Sequence, residues 1–169
     1  MQRPSRTSLY QAFTARFRPE ASRTDVVAVT NQEIDIAEAA IGCKLPRSYR
    51  TFVTGFGAGD NDLPDNAPLM LAEIWHPERI VKQMNSPWMA PIPEFLTGGT
   101  PLSRDVAWKH LTPFGSEQSD GYWFCFRREL GVTDDLPVFY FSHDGGDIEQ
   151  VADSFDNLIE QMLNQPTLT

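Results

Sequence analysis

The sequence has little of what builds cross-linked, secreted or membrane-spanning proteins. Its 169 residues include only two cysteines, and no apolar run approaches the roughly 20 residues that cross a bilayer. Cys43 and Cys125 lie far apart in the chain, so they make no disulfide framework, and a reducing cytoplasm is the expected compartment. No uninterrupted apolar segment follows the N-terminal arginines, which argues against a secretory signal. We therefore expect a cytoplasmic protein without a membrane partner.

The charges are unevenly distributed along a chain whose net charge is −9. Residues 1–25 carry five arginines against two acids, whereas residues 117–160 carry eleven acids against two bases. An acidic half repels phosphate, so nucleic acid is not an expected partner. The same half attracts cations, so a basic protein is the expected partner.

Size and apolar content predict one compact domain with a substantial core. The chain is 41% hydrophobic and 11% aromatic, which excludes a fully disordered protein. We place the main domain at residues 26–169 and treat residues 1–25 as an N-terminal arm. In that arm Leu9, Phe13 and Phe17 share one face of a short amphipathic helix, which we expect to dock on the domain. Because acids are absent from most of the arm, an organellar targeting peptide is the alternative.

Start and stop signals predict two helices in residues 30–56. Thr30 and Glu33 fit a capping box, and Gly42 suits the position where that first helix ends. Pro46 fits the first turn of a second helix, which extends to about Gly55 and ends in a glycine-rich turn. This helix carries an apolar stripe at helical spacing. The members of the stripe are Tyr49, Phe52, Val53 and Phe56.

The rest of the chain predicts strands, one further helix in the middle and a helix at the end. Leu69 to Trp75 resembles a strand, and His76-Pro77 then opens a helix to about Asn85. Three more strands and a last helix follow in residues 111–163. They are Leu111 to Phe114, Tyr122 to Phe126, Val138 to Phe141 and the helix Asn157 to Leu163. This order is typical of a single α+β domain, mainly an antiparallel sheet with helices packed on it.

Residues 86–105 contain four prolines and two adjacent glycines, and they are predicted to form a long loop with one helical turn near residues 94–96. Loops of this length are often functional. Trp88 and Trp108 flank the loop, so they are candidates for a recognition role at the surface. For Trp75 and Trp123, packing as buried or half-buried residues is expected, and the lining of a ligand pocket is the alternative.

The sequence offers no convincing catalytic constellation. The segment 143–147, His-Asp-Gly-Gly-Asp, could contribute to a metal site, but His76 and His110 lack the spacing of further ligands. The glycines of residues 55–59 follow a helix, whereas a dinucleotide loop follows a strand. We therefore predict no enzyme, no metal and no cofactor. A small hydrolase is the third-ranked alternative, and its residues would be Asp120, His143 and Asp144.

The ordered motifs resemble those of the SUKH superfamily. In that pattern an acidic helix is followed by a Leu-Pro that opens a second helix with a Tyr and a large apolar residue, and then by glycines. The matching residues here are Ile34, Glu38, Ile41, Gly42, Leu45, Pro46, Tyr49, Phe52, Gly57 and Gly59. A second block follows in the same order: Phe114-Gly115, Asp120-Gly121, Leu136 to Tyr140 and Val151 to Phe155.

The resemblance implies a non-enzymatic binding protein. The superfamily takes in bacterial immunity proteins of polymorphic toxin systems, fungal cell-wall-assembly regulators and Suppressor of Fused. The implied bacterial role is to bind and block the C-terminal domain of a cognate secreted toxin, often a nuclease. A cytosolic scaffold or regulator, as in the fungal relatives, is the second interpretation. We expect Leu45, Tyr49 and Phe52 to be core residues in either case.

The expected partner surface is acidic. Consecutive antiparallel strands alternate in direction, so the loop before Tyr122 and the loop after Phe141 should meet at one end of the sheet. Clustered carboxylates there repel one another and gain from a cationic partner. The residues predicted to bind the partner are Glu117, Asp120, Asp144, Asp147 and Glu149, with Trp88 and Trp108 as a second region.

Overall fold

A computed structural model of the protein describes residues 5–20, 25–63, 71–86, 110–118, 122–128, 134–142 and 148–165. Within these ranges the chain forms five helices and six strands. The helices are α1 (Arg6–Phe17), α2 (Asn31–Ile41), α3 (Arg47–Phe56), α4 (Pro77–Met84) and α5 (Phe155–Asn164). The strands are β1 (Gly59–Asp60), β2 (Glu73–Ile74), β3 (Leu111–Ser116), β4 (Tyr122–Arg127), β5 (Val138–Ser142) and β6 (Ile148–Ala152).

The six strands form one antiparallel sheet, and their order in the sheet is their order in the chain. Tyr122 at the start of β4 pairs with Ser142 at the end of β5, and Phe126 pairs with Val138 at the opposite end. The β3–β4 and β5–β6 connections therefore lie at the same end of the sheet, as the alternation of strand direction predicts. The predicted single α+β domain with an antiparallel sheet is confirmed.

The main core lies between one face of the sheet and the helices. Phe114 of β3 stacks on Phe126 of β4 with ring centroids 3.9 Å apart, and the ring of Phe155 from α5 meets both edge-on. Tyr49 of α3 contacts the same two sheet rings. Aromatic side chains from four elements thus interlock in the centre of the molecule. Leu45, Tyr49 and Phe52 are all buried.

The opposite face of the sheet carries a second, smaller cluster of buried side chains. Its members are Leu111, Cys125, Phe139, Phe141 and Ile148. Every residue of β3 and β5 is buried, because both faces of these strands are covered. Burial raises the pKa of the Cys125 thiol well above its usual range, so the thiol stays protonated at neutral pH. Cys43 and Cys125 are both free.

The predicted helix signals are present in the structure. The Thr30 hydroxyl accepts from the Glu33 backbone N–H, and the Glu33 carboxylate accepts from the Thr30 N–H, which completes the capping box. Gly42 ends α2 in the left-handed region with φ 71°. His76 caps α4, which begins at a proline. Pro46 precedes α3 as its N-cap and is not its first helical residue.

Helix α1 packs into the same core as the rest of the chain. Tyr10, Phe13 and Phe17 are buried, and Leu9 is half-buried against them. At its start, Arg6 donates to the carboxylate of Asp156 on α5 at 2.6 Å, so the helix is also anchored by charge. The boundary at residue 25 stays a prediction, since α1 and the main domain share one core.

Two strands are absent from the sequence-based prediction. β1 occupies part of the expected glycine-rich turn, where Gly59 pairs with Ile74. β6 contains Glu149, which the sequence predicts to lie on the loop after Phe141; this prediction is wrong, because Glu149 pairs with Tyr140 of β5. The predicted strand from residue 69 to 75 is β2 within the described part, and most of the predicted loop 86–105 lies outside it. Among the described helices, none is long and apolar enough to cross a membrane.

Candidate protein-binding surfaces

Glu38 joins α2 to α3 through a buried carboxylate. Its side chain is 2% exposed and accepts from the Leu45 backbone N–H at 3.0 Å, from Lys44 Nζ at 2.6 Å and from the Arg50 guanidinium at 2.9 Å. Burial acts to raise the pKa of Glu38, but these three hydrogen bonds outweigh it and hold the pKa below its ordinary value. The ionised carboxylate therefore fixes the segment that leads into α3.

The aromatic side chains Tyr49 and Phe52 of α3 face the interior of the protein and contact other buried residues. The Tyr49 hydroxyl donates to the Trp75 carbonyl at 2.6 Å, and burial raises the pKa of that phenol. Phe52 contacts the rings of Tyr10 and Phe155 at centroid distances of 5.1 and 5.5 Å. These contacts give the motif residues a structural role and leave them out of reach of a partner.

Gly57 and Gly59 allow the chain after α3 to pass close to residues 25–27. Both have positive φ, 81° and 138°, where other residues are strained. A Cβ on Gly59 would lie 2.3 Å from the Asp25 carbonyl oxygen, and one on Gly57 would lie 2.6 Å from the Val26 side chain. The glycines thus serve a close approach of two backbone segments, and this space holds no room for a ligand.

The buried guanidinium of Arg18 closes the same turn. It donates to the carbonyls of Phe56, Gly57 and Gly59 and to Asn61 Oδ1, with distances from 2.7 to 3.1 Å. Carbonyls at the end of a helix need such donors. Burial lowers the pKa of Arg18 to about 10, so it remains charged at neutral pH. This arginine of the N-terminal arm holds α1 against the end of α3.

The two described members of the predicted acidic surface lie on either side of Tyr140. The Tyr140 hydroxyl donates to Glu117 Oε2 at 3.1 Å, and Glu149 is the cross-strand neighbour of Tyr140. The ring of Tyr122 stacks on Tyr140 at 4.8 Å. Burial, and then the charge of Glu117, raises the pKa of Tyr140. We call the surface of Glu117, Tyr122 and Glu149 the acidic sheet end.

Several predicted site residues lie outside the described residues. They are Asp120, Asp144 and Asp147 of the acidic surface, His143 of the alternative hydrolase, and Trp88 and Trp108. The chain enters β4 and leaves β5 at the acidic sheet end, so the segments that contain these acids are attached there. Within the described ranges, no group of three or more His, Cys, Asp and Glu residues is placed to hold a metal ion.

Sequence reasoning missed a groove between α2 and α4, with a volume of about 260 Å³. Its apolar lining is Ile36, Ala37, Ala40 and Val81, and its polar lining is Glu33, His76 and Glu78. Ile36 is 62% exposed, although large apolar residues on helices usually face the core. The signal was in the sequence, because Ile36 falls off the stripe of Ile34, Ala37 and Ile41. We call this feature the α2–α4 groove.

These observations define a class of protein: a small α+β domain whose motif residues hold the fold and whose charged and apolar surfaces are left for contacts. The model of the SMI1/KNR4 family (SUKH-1) matches residues 28–161, which is most of the chain. The protein belongs to this family, and the superfamily suggested by the motifs is confirmed. Helix α1 precedes the matched segment. No curated protein matches the chain.

Proposed function

We propose that this protein is an immunity protein, a non-enzymatic domain that binds and neutralises a cognate secreted toxin. Membership of the SUKH-1 family supports a role in binding another protein. The observation that carries the proposal is the acidic sheet end, where Glu117 and Glu149 flank a pair of stacked tyrosines. Tyr122 is half-buried and can offer part of its ring to a partner, the buried ring of Tyr140 holds it in place, and the carboxylates supply charge.

The charge favours a nuclease as the toxin. A nuclease must hold a polyanion, so its substrate-binding surface is basic. The protein has a net charge of −9, and two segments that contain acids are attached at the acidic sheet end. Opposite charges increase the association rate, most strongly at low salt. An acidic binding surface would thus both attract such a toxin and cover the surface that its substrate needs.

Co-expression with the product of the gene immediately upstream tests the function. The C-terminal domain of that product should stop growth when it is expressed alone, and this protein should restore growth and co-purify with the domain. If the two proteins neither bind nor protect, the immunity proposal is wrong. A regulatory or scaffold role, with a partner encoded elsewhere, would then replace it.

A matched pair of charge reversals tests the surface. Glu149→Lys lies at the acidic sheet end and is exposed, whereas Asp134→Lys changes the net charge equally and lies in the β4–β5 connection at the opposite end. At low salt we expect Glu149→Lys to slow association with the toxin domain by roughly three- to tenfold and Asp134→Lys to change it by less than about twofold. Equal rates for the two variants would move the binding site, most simply to the segment that carries Trp88 and Trp108.

A further inference from the structure

We propose that the α2–α4 groove is a second contact site, which receives an amphipathic helix of a basic partner protein. The proposal deepens the proposed function and depends on it for the identity of the partner. It depends on the structure alone for the chemistry of the occupant. Three properties of the groove carry it: an exposed apolar side chain, space beside it, and carboxylates at one end.

The apolar part of the groove is open and unusually exposed. Ile36 is 62% exposed, and Val27 is the only other large hydrophobic residue of the described part that is exposed to a similar degree. Beside Ile36, the small side chains of Ala37 and Ala40 leave a furrow that Val81 of α4 closes on the far side. An inserted leucine, isoleucine or methionine would contact all four residues and would remove Ile36 from water.

The acidic part lies where both helices begin. Glu33 Oε2 is used by the α2 cap, while Glu33 Oε1 lies 3.7 Å from His76 Nε2. The backbone hydrogen bond from Thr30 lowers the pKa of Glu33, so this carboxylate is ionised at neutral pH. His76 Nδ1 accepts the Glu78 backbone N–H at 3.3 Å, so His76 caps the first turn of α4 at this end of the groove. The end of the groove therefore presents two carboxylates, Glu33 and Glu78, beside the His76 imidazole.

The negative charge at the end of the groove favours a basic partner over a second copy of this chain. A second copy of this chain is acidic and would bring like charges to Glu33 and Glu78. The neighbouring cation Arg79 does not neutralise this end, because it pairs with Glu73 and lies over the ring of Trp75. Lys82 is on α4 but does not line the groove. A partner helix with one large apolar side chain and arginines or lysines one turn away matches both parts.

A helix is the expected form of the occupant because the groove is itself made by two helices. The first turns of α2 and α4 meet at Glu33 and His76, and Ala40 and Val81 lie further along the two helices. The groove therefore runs beside both helix axes. Helices bind such grooves through side chains spaced three or four residues apart. An extended strand would leave its backbone groups without partners on this surface.

The probe for the test is a synthetic helical peptide of roughly 18 residues, since isolated helices shorter than about 12–15 residues are marginal. It carries leucines three and four residues apart and arginines beside them, and a second peptide has glutamates in place of the arginines. Binding is followed by NMR of the methyl groups of the full-length protein. We expect the arginine peptide to shift the methyl signals of Ile36, Ala37, Ala40 and Val81 and the glutamate peptide to bind at least about tenfold more weakly.

Two neighbouring alanines of α2 provide the matched variants. Ala39 and Ala40 are both exposed, but only Ala40 lines the groove. Ala40→Arg fills the furrow and should weaken peptide binding by about tenfold or more, whereas Ala39→Arg should change it by less than about twofold. Glu33→Gln keeps the capping box, because glutamine can accept the same hydrogen bond, and removes the charge. We expect it to weaken binding at low salt and to have little effect at high salt.

The proposal is overturned if the peptide shifts methyl groups elsewhere, or if Ala39→Arg and Ala40→Arg weaken binding equally. It is also overturned if the protein alone dimerises through these methyl groups, since the occupant would then be a second copy. Failure of the peptide leaves the immunity function standing, because that function is tested with the product of the upstream gene. Conversely, peptide binding without a neutralised toxin would retain the groove and remove the immunity function.

Discussion

The carboxylate of Glu38 stays ionised although its side chain is almost completely buried, with only 2% exposed. The cations that contact it are more accessible, with 61% of the Lys44 side chain and 26% of the Arg50 side chain exposed. If the charge of Glu38 is removed, these cations can still be hydrated. The loss then falls on the hydrogen bonds to the carboxylate, and charged bonds of this kind contribute about 1.5–3 kcal/mol each.

We predict that Glu38→Gln lowers the free energy of unfolding by roughly 2–4 kcal/mol near neutral pH. The folded-state pKa of Glu38 is lowered, so its contribution is complete above the unfolded pKa of about 4.3 and is lost as pH falls through the folded pKa. The difference between wild type and variant should therefore shrink at acidic pH. Urea denaturation across this pH range measures it.

Asp35→Asn is the control for that experiment. Asp35 also pairs with Arg50, at 2.9 Å, but its side chain is 61% exposed. Exposed ion pairs contribute about 0–1 kcal/mol, so the change in unfolding free energy should be small at every pH. Similar losses for Asp35→Asn and Glu38→Gln would show that burial of the Glu38 carboxylate has no special energetic role.

At the scale of elements, the turn from α3 into β1 is where backbone conformation limits the sequence most. Gly55 and Gly59 lie four residues apart and have different surroundings. A Cβ on Gly55 would meet nothing within 4 Å, whereas one on Gly59 would meet the Asp25 carbonyl oxygen at 2.3 Å. The same chemical change therefore tests two environments.

We predict that Gly59→Ala lowers the free energy of unfolding by roughly 1–3 kcal/mol, because φ is 138° and β1 must move away from Asp25. Gly55→Ala should be neutral or stabilising by up to about 1 kcal/mol, since alanine favours a helix. Thermal unfolding followed by circular dichroism compares the two. Equal melting temperatures would mean that the approach to Asp25 carries no strain.

How much of the fold could be predicted depends on the element. The capping box at Thr30 and the start of α4 at His76 are local signals, so both helices could be located from the sequence. β6 could not, because its two exposed residues, Glu149 and Gln150, hide the apolar alternation of a strand. β1 consists of two residues and forms only through its pairing with β2.

The candidate surfaces were predictable to different degrees for a similar reason. The alternation of strand direction alone predicts that Glu117 and Glu149 lie at one end of the sheet. The hydrogen bond from Tyr140 to Glu117 could not be predicted, because it depends on side-chain geometry. The helical pattern of α2 indicates that Ile36 is exposed, but the groove beside it depends on the packing of two helices separated by α3, which a local pattern does not encode.

At the scale of the whole molecule, one cluster of rings joins elements from both ends of the described chain. Phe52 of α3 contacts Tyr10 and Phe13 of α1 and Phe155 of α5. No solvent reaches its side chain. A substitution at Phe52 should therefore destabilise α1, α3 and α5 together.

We predict that Phe52→Ala lowers the free energy of unfolding by about 3–5 kcal/mol, the range for removal of a buried aromatic ring. The transitions in near- and far-ultraviolet circular dichroism should shift together, because the ring bridges three helices. Thr51→Ala at the exposed neighbouring position should stay within about 0.5 kcal/mol of wild type. A variant at Phe52 that melts like wild type would contradict the packing of α3.

The identity of strand order and chain order has a consequence for folding kinetics. Each pairing from β3 to β6 joins neighbours in the chain, so each closes a short loop at small entropic cost and can form early. The contacts of α1 lie further apart in the chain: Arg18 bonds to Asn61 across 43 residues and Arg6 bonds to Asp156 across 150, so we expect α1 to dock after the meander has formed. The rate-limiting barrier is then expected to contain the meander, with α1 still free. Substitutions in α1 would accelerate unfolding and leave the refolding rate almost unchanged.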